Sequence, residues 1–333
     1  MKRWGYMEKY FCLELAEGVV KGKKVTLEEI GMLLETAEDN IMLLFSGADM
    51  IRRHFLGDKV DVCSVINAKS GLCAEDCSYC AQSSMYDTKI SPFPYIGRNK
   101  IFDVIEKIVN CGVRKAGIVT SGGKISKSIV SDICDAVREA KNKYGIKICV
   151  SLGMLDKDSL FLLKEAGVDS YHHNLETSKR FFPKICSTHT YQDKVDTVKN
   201  ANNIGLKVCC GALFGLGEDM GDRVNLAFCI RKLEIKSIPL NFLDPIRGTC
   251  FENKKLISPM EALKTIAMFR YINPESHIKV CGGREVNLKD LQGMIFFAGA
   301  SGLMTGNYLT TSGRGIDLDF QMLEDLNLKA DWS

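Results

Sequence analysis

Short β-branched runs recur along this chain at intervals that leave room for a helix between them, and this limits the fold more than any single motif does. They read VDVCSVI (60–66), KAGIVTS (115–121), KICVSLG (147–153), SYHHNLE (170–176), KVCCGALFG (207–215), SIPLNFL (237–243), HIKVCGG (277–283) and GLMTGNYL (302–309). Amphipathic helical patterns such as VSDICDAVREAKNKYG, QDKVDTVKNANNIG and PMEALKTIAMFRYI separate many of them. Eight β/α units within about 250 residues predict an α/β chain closed as a parallel (β/α)8 TIM-type barrel, which works from the C-terminal ends of its strands. A doubly wound sheet is the competing architecture on pattern alone. No linker, low-complexity tract or composition break divides the chain. Residues 1–55 read as an N-terminal helical extension, with Thr26 and Glu29 forming a capping-box pattern, and 56–333 as the barrel domain. The stretch from Leu291, LQGMIFFAGASGLMTG, is too short for a bilayer and reads as a buried helix running into a strand; IDLDFQMLEDLNL, from Ile316, reads as a final helix outside the barrel.

Charge narrows the partners. With 44 basic and 41 acidic side chains interspersed and a net charge of +3, neither nucleic acid nor a membrane is expected as a partner. Glu8, Lys9, Glu14 and Glu17 interrupt the apolar run that a signal peptide needs, so a cytoplasmic location is expected. Fourteen cysteines in such a chain point to reduced thiols and metal chemistry. Cys12, Cys111, Cys134, Cys186, Cys229 and Cys250 lack metal-ligand spacing and are expected as small core hydrophobes.

Cys73, Cys77 and Cys80, in SGLCAEDCSYCAQ, are spaced C-x3-C-x2-C on the loop after the first strand. Three thiolates on a 4Fe-4S cluster leave one iron open to an external ligand, where a substrate or cofactor binds. Catalytic zinc also keeps an open position, but its three protein ligands usually include histidine or carboxylate. This spacing, with the aromatic Tyr79 just before the third cysteine, resembles the signature of the radical S-adenosyl-L-methionine (SAM) superfamily. The resemblance implies that the open iron chelates SAM and that an electron from the cluster cleaves it to a 5′-deoxyadenosyl radical.

More of the chain matches one member family. NAKSGLCAEDCSYCAQSS, YHHNLETS, THTYQDKVDTV, GALFGLGED, IPLNFLDPIRGT and CGGREVNL together resemble biotin synthase from about residue 55 to 330. The resemblance implies a sulfurtransferase that inserts sulfur into dethiobiotin, taken from a second, auxiliary iron–sulfur cluster deep in the barrel. It also implies a flavodoxin- or ferredoxin-type reductant, a sulfur donor for cluster repair and a homodimer. Carried onto this chain, Asn174 and Glu176 contact the SAM ribose, Asn174 also the ureido ring, and Asn241 hydrogen-bonds that ring; a strand-end asparagine can equally satisfy a neighbouring loop. Thr310 and Thr311 fall where the substrate carboxylate binds, and His172 shares the face of Asn174 while His173 packs outward. Tyr79, Ser121 and Gly122 are expected near SAM. His189, where many relatives carry arginine, is expected at the SAM carboxylate or in a supporting role. Arg284 and Glu285 read as a structural ion pair.

The auxiliary cluster departs from the pattern. The commonest form of the family holds a two-iron cluster with cysteines on strands two, three and five and an arginine on strand seven. Cys149 and Cys209 match, but Gly117 and Lys279 stand at the other two positions. The runs KIC, KVC and KVC end at Cys149, Cys209 and Cys281, and VDVC places Cys63 at comparable depth on strand one. Layers inside such a barrel draw four side chains from alternate strands, so Cys63, Cys149, Cys209 and Cys281 are expected to form one layer and to hold a four-iron auxiliary cluster with an extra sulfide. The alternative is a two-iron cluster on Cys149, Cys209 and another residue. Cys210 faces the helices unless a bulge turns it inward. Two other functions remain: another radical SAM barrel, such as a hydrogenase-cofactor maturase or methylornithine synthase, and an electron carrier, although a carrier normally ligates every iron.

Overall fold

The computed structural model describes residues 10–332; residues 1–9 of the expected extension lie outside the described residues. Among the described residues, three helices precede the first strand: α1 (Phe11–Val20), α2 (Leu27–Asp39) and α3 (Ile41–Leu56). The Thr26 hydroxyl accepts the Glu29 N–H at 3.2 Å and Glu29 accepts the Thr26 N–H at 3.0 Å, so the reciprocal cap satisfies donors that a helix start leaves unpaired. α3 buries Leu44, Phe45, Ala48 and Ile51. The Tyr271 hydroxyl donates to the Cys12 carbonyl at 2.9 Å, tying α1 to the helix outside the seventh strand.

The strands are β1 (Lys59–Lys69), β2 (Lys115–Thr120), β3 (Lys147–Ser151), β4 (Ser170–His172), β5 (Val208–Cys209), β6 (Ala212–Phe214), β7 (Ser237–Phe242), β8 (His277–Val280) and β9 (Gly302–Met304). Every pairing is parallel, the order runs from β1 to β9 in sequence, and β9 returns to β1 through Asp61↔Gly302 and Cys63↔Met304. The result is a closed parallel barrel, because β5 and β6 occupy one position beside β7. Helices α4 (Gly97–Asn110), α5 (Lys127–Tyr144), α6 (Lys157–Glu165), α7 (Tyr191–Asn203), α8 (Met220–Lys232) and α9 (Pro259–Ile272) fill the crossovers. Between β8 and β9 run two short helices, α10 (Arg284–Leu288) and α11 (Met294–Phe297).

The fifth strand is broken without slipping. Cys209 pairs with Ser237 and Ala212 with Leu240, so the offset is the same on both sides of the gap. Pro239 of β7 has no N–H to give the ladder there, and a Cβ on Gly211 would overlap the Pro239 carbonyl. Since no residue is inserted, side-chain alternation survives the break and Cys210 stays on the outer face, fully buried.

The barrel differs from the sequence reading at its ends. The fourth and eighth strands stop at His172 and Met304, and the residues beyond them leave the sheet; Glu176, at φ 69°, cannot continue a strand. After the final helix, α12 (Ile316–Asp325), a tenth strand β10 (Lys329–Asp331) pairs with the N-terminal end of β1. Its three residues, KAD, carry no alternation to announce it.

Alternation along β2 and β3 is inverted relative to a filled barrel. Ala116, Ile118, Ile148 and Val150, facing the helices, are fully buried, whereas Gly117, Val119, Cys149 and Ser151, facing the axis, stay half-exposed. The axis is hollow, and that hollow is the site. Gly211→Ala is expected to lower stability by about 1–3 kcal/mol, as overpacking does. Gly31→Ala, on the exposed face of α2 with nothing near its Cβ position, should raise stability by up to about 1 kcal/mol; thermal melting of the two variants checks both signs.

Candidate active site

The hollow is a cavity of about 390 Å³, and Cys63, Cys149, Cys209 and Cys281 all line it. Three come from β1, β3 and β5, and Cys281 follows the end of β8. Charge on Cys209 is felt at each of the other three, and charge on Cys63 at Cys149 and Cys281, so the four thiols share one region. Burial pushes Cys149 up to about 12 and raises Cys63 and Cys281. Cys209 goes the other way: burial would raise it, but His172, Lys279 and the Ser237 hydroxyl, 3.3 Å away, bring it to about 7.

Below the cysteines lies a buried ion cluster. Asp61 of β1 accepts from Lys279 of β8 at 2.6 Å and from Lys115 of β2 at 3.0 Å. Burial would raise the Asp61 carboxyl, yet the two ammonium groups hold it below the ordinary carboxylate value. Beside the layer, Gly117 leaves open wall: a Cβ there would meet Val65 at 3.7 Å and the Ser64 carbonyl at 3.8 Å, ordinary contacts.

The three-cysteine loop follows β1 and is tied down residue by residue. The Cys73 N–H donates to the Gln82 carbonyl at 3.0 Å, the Gln82 side chain accepts the Gly71 N–H at 3.0 Å, and the Cys80 N–H donates to the Cys77 carbonyl at 2.9 Å. Asp76 clamps the loop to the segment after β4, accepting the N–H groups of Ser187 at 2.9 Å and Thr188 at 3.2 Å and the Ser187 hydroxyl. Burial opposes ionisation of Asp76, but these donors hold its carboxyl well below the usual range. The sulfurs of Cys73, Cys77 and Cys80 do not converge within 4.8 Å as ligands of a single ion would. Half-buried, held by a rigid loop and spread apart, they suit a multi-iron cluster.

The other expected site residues divide into two groups. Tyr79, His172, Asn174, Glu176, Asn241, Thr310 and Thr311 line the cavity. The asparagines are partly committed to backbone. The Asn174 carbonyl accepts the Gly211 N–H at 3.0 Å, and Asn241 spans two neighbours, donating to the Ala212 carbonyl and accepting the Gly282 N–H, both at 2.9 Å. Each amide nitrogen carries two N–H groups, so donor capacity remains. Thr310 and Thr311 sit on a loop held by Tyr308, whose hydroxyl donates to Glu285 at 3.0 Å, and by Asn67, which donates to the Leu309 carbonyl at 3.0 Å. Arg284 does carry a structural ion pair, but its main partner is Asp319 of α12, at 2.8–3.0 Å, with Glu285 farther at 3.5 Å.

Ser121, Gly122 and His189 do not line the cavity. The Ser121 hydroxyl donates to the Gly71 carbonyl at 2.7 Å, bracing the cysteine loop, and Gly122 lies beside Lys69. His189 Nδ1 is 2.7 Å from Glu75 on the loop, and the imidazole touches Cys186. His173 is buried against Tyr171 with its Nε2 unpartnered. Cys186, expected as a core hydrophobe, is buried but lies 3.8 Å from Cys77, sulfur to sulfur; the C-x2-H spacing of Cys186 and His189 was the signal for it. Cys111 and Cys250 are exposed rather than core, because one ends α4 at the surface and the other sits in a turn.

Residues 68–230 match the Radical SAM superfamily and residues 239–329 the Biotin and Thiamin Synthesis associated domain. The chain is 49% identical to the biotin synthase of Geobacter metallireducens, covering 94% of this chain and 96% of the relative. It is 44% identical to that of Pelotomaculum thermopropionicum, covering 95% and 98%. Among solved structures, methylornithine synthase superposes with a TM-score of 0.82 at 20% identity over 95% of this chain and 97% of that one. The FeFe-hydrogenase maturase HydG from Carboxydothermus hydrogenoformans superposes at 0.80 and 17% identity, over 96% and 79%. At such identities the two likenesses show the fold alone.

Asp61→Asn leaves two buried ammonium groups without a counter-charge, which costs about 3–5 kcal/mol when a buried pair is broken. The expected outcome is a urea midpoint well below that of the parent, whereas Lys59→Gln, at an exposed lysine 3.9 Å from Asp331, should leave the midpoint within experimental error. Because the folded Asp61 carboxyl is depressed, its contribution is full above the ordinary carboxylate value and is lost as pH falls through the folded one.

Proposed function

The chain belongs to the biotin synthase family, and from that premise we propose which of its residues carry the sulfur insertion into dethiobiotin. It is a radical SAM sulfurtransferase. When bound, a 4Fe-4S cluster with SAM supplies the 5′-deoxyadenosyl radical that removes hydrogen from two saturated carbons, and an auxiliary iron–sulfur cluster supplies the sulfur.

Cys73, Cys77 and Cys80 are proposed to hold the first cluster, leaving one iron for SAM. Tyr79, Asn174 and Glu176 line the cavity and are proposed to contact SAM. Ser121, Gly122 and His189 are proposed to support that site by holding the loop and its surroundings. Asn241 is proposed to meet the ureido ring; its amide is fixed on both sides by backbone bonds and keeps an N–H to give. His172 and Asn174 line the same wall, and Thr310 and Thr311 offer hydroxyls to the substrate carboxylate. Water exclusion falls to the loop carrying these threonines, which Tyr308 and Asn67 hold in place.

The single observation that carries the auxiliary site is that Cys63, Cys149, Cys209 and Cys281 line one cavity from alternate positions around the barrel. Four thiolates favour a four-iron cluster, with an extra sulfide as the atom transferred. Lys279 is unsuited to replace an arginine ligand: its nitrogen is committed as an ammonium donor to Asp61 at 2.6 Å. Each SAM cleavage consumes an electron and each turnover a sulfur. A flavodoxin- or ferredoxin-type reductant and a sulfur donor for cluster repair are therefore proposed as partners, together with a homodimer in the cytoplasm.

Anaerobic single-turnover reaction of reconstituted protein with reductant, SAM and dethiobiotin, without added sulfide, should yield biotin and 5′-deoxyadenosine by mass spectrometry. Deoxyadenosine without biotin or a thiolated intermediate would point to another substrate. Iron analysis of Cys63→Ala and Cys281→Ala tests the layer separately: both should lose auxiliary-cluster iron, and full retention by both would remove the four-cysteine site.

A further inference from the structure

Among the described residues, one trio of potential ligand atoms lies within 4.8 Å of one another: Cys77, Cys186 and His189. Only Cys77 belongs to the three-cysteine loop; the other two come from the segment after β4. We propose that this trio is a site for a single soft divalent cation, Zn²⁺ in its chemistry, filled when the loop holds no cluster.

Two of the trio's separations match those of one tetrahedral ion, and the third lies within 4.8 Å. Bonds of about 2.3 Å to sulfur and about 2.0–2.1 Å to nitrogen put two sulfur ligands about 3.8 Å apart, and sulfur and nitrogen about 3.6 Å apart. Cys77 and Cys186 are 3.8 Å apart, sulfur to sulfur, and His189 Nε2 is 3.7 Å from the Cys186 sulfur. Nε2 is also the nitrogen left free, because Nδ1 faces the Glu75 carboxylate at 2.7 Å. A carboxylate on the far ring nitrogen orients a metal-binding imidazole and raises its basicity. Two thiolates and a neutral imidazole suit zinc, and the ligands give up to solvent whatever protons they still carry when the ion binds.

The surroundings fit as well. Asp76 Oδ1 is 3.2 Å from the Cys186 sulfur but already accepts the Ser187 and Thr188 N–H groups, so it is engaged by other donors. Phe182 packs edge-on against the His189 ring at 5.6 Å and screens that side. Cys77 cannot serve an ion here and a cluster iron together, so the two occupancies exclude each other. Cys186 and His189 then form a parking place for a metal ion beside a cluster not yet built, and zinc becomes a competitor of its assembly. This inference does not depend on the substrate.

Cobalt(II) is the probe, since its thiolate charge-transfer absorption reports sulfur ligation. Full-length, cluster-free protein carrying Cys63→Ala, Cys149→Ala, Cys209→Ala and Cys281→Ala, which removes all four barrel thiols, would be titrated anaerobically. One Co²⁺ per chain with thiolate charge transfer is expected. Cys186→Ser and His189→Gln should each weaken binding by at least about 100-fold, since losing a partner that only orients a ligand already costs about 10–100-fold, with melting temperature monitored to separate ligand loss from unfolding. Cys73→Ala should leave binding unchanged. Binding that survives Cys186→Ser but is lost with Cys73→Ala would place the ion on the three-cysteine loop and overturn the proposal, as would no binding at all.

Discussion

The buried contact between Asp61 and two lysines sits where the barrel closes, and the architecture above it depends on that closure. Asp61 lies in β1, its partners in β2 and β8, and Gly302 of β9 pairs with it in register. A Cβ on Gly302 would lie 2.6 Å from the Asp61 carbonyl and 2.7 Å from the Lys279 side chain, so only glycine lets the ninth strand reach the seam. Parallel strands gain no hairpin to fix their register. A charged group shared between strands on both sides of the seam supplies that specificity, at the cost of desolvating three charges.

Closing the floor with ions rather than apolar side chains leaves the axis above it open. The axial positions of β1, β3 and β5 then become walls, so a cysteine there faces space instead of neighbours. The same openness would leave backbone at the strand ends unsatisfied. Asn174 and Asn241 answer this by bonding the groups around Gly211 and Gly282. Their amide planes are thereby fixed before any ligand arrives, and a preorganised donor loses less entropy on binding than a free one.

The parts of the site that follow a period could be read from the sequence. KIC and KVC place Cys149, Cys209 and Cys281 on inward positions because strand alternation is strict, and it held through the break at Gly211 since no residue is inserted there. The loop cysteines were legible from spacing alone. Cys186 and His189 belong to an irregular segment whose position is set by Asp76, a contact more than a hundred residues away in sequence, and no local pattern encodes it. The commitment of Asn241 to two backbone groups was equally hidden, because it depends on where neighbouring strands end. β10 was missed because three residues beside an already formed edge of β1 need no propensity of their own.

The departures at Gly117 and Lys279 make sense together on the four-cysteine reading. Burial would strip the proton from Lys279, but Asp61 and the nearby thiols keep it charged well above its ordinary range, and an ammonium has donors but no lone pair. It therefore offers charge, not ligation. Two lysines against one carboxylate leave a net single positive charge beneath four cysteines that would become thiolates on binding a cluster, in a poorly solvated cavity where unbalanced charge is costly. Gly117, with ordinary contacts only at its Cβ position, keeps wall space that a cysteine side chain would fill, and a four-iron core is larger than a two-iron one. On that reading Gly117 and Lys279 are not ligands; they would give the room and the counter-charge for a set completed by Cys63 and Cys281.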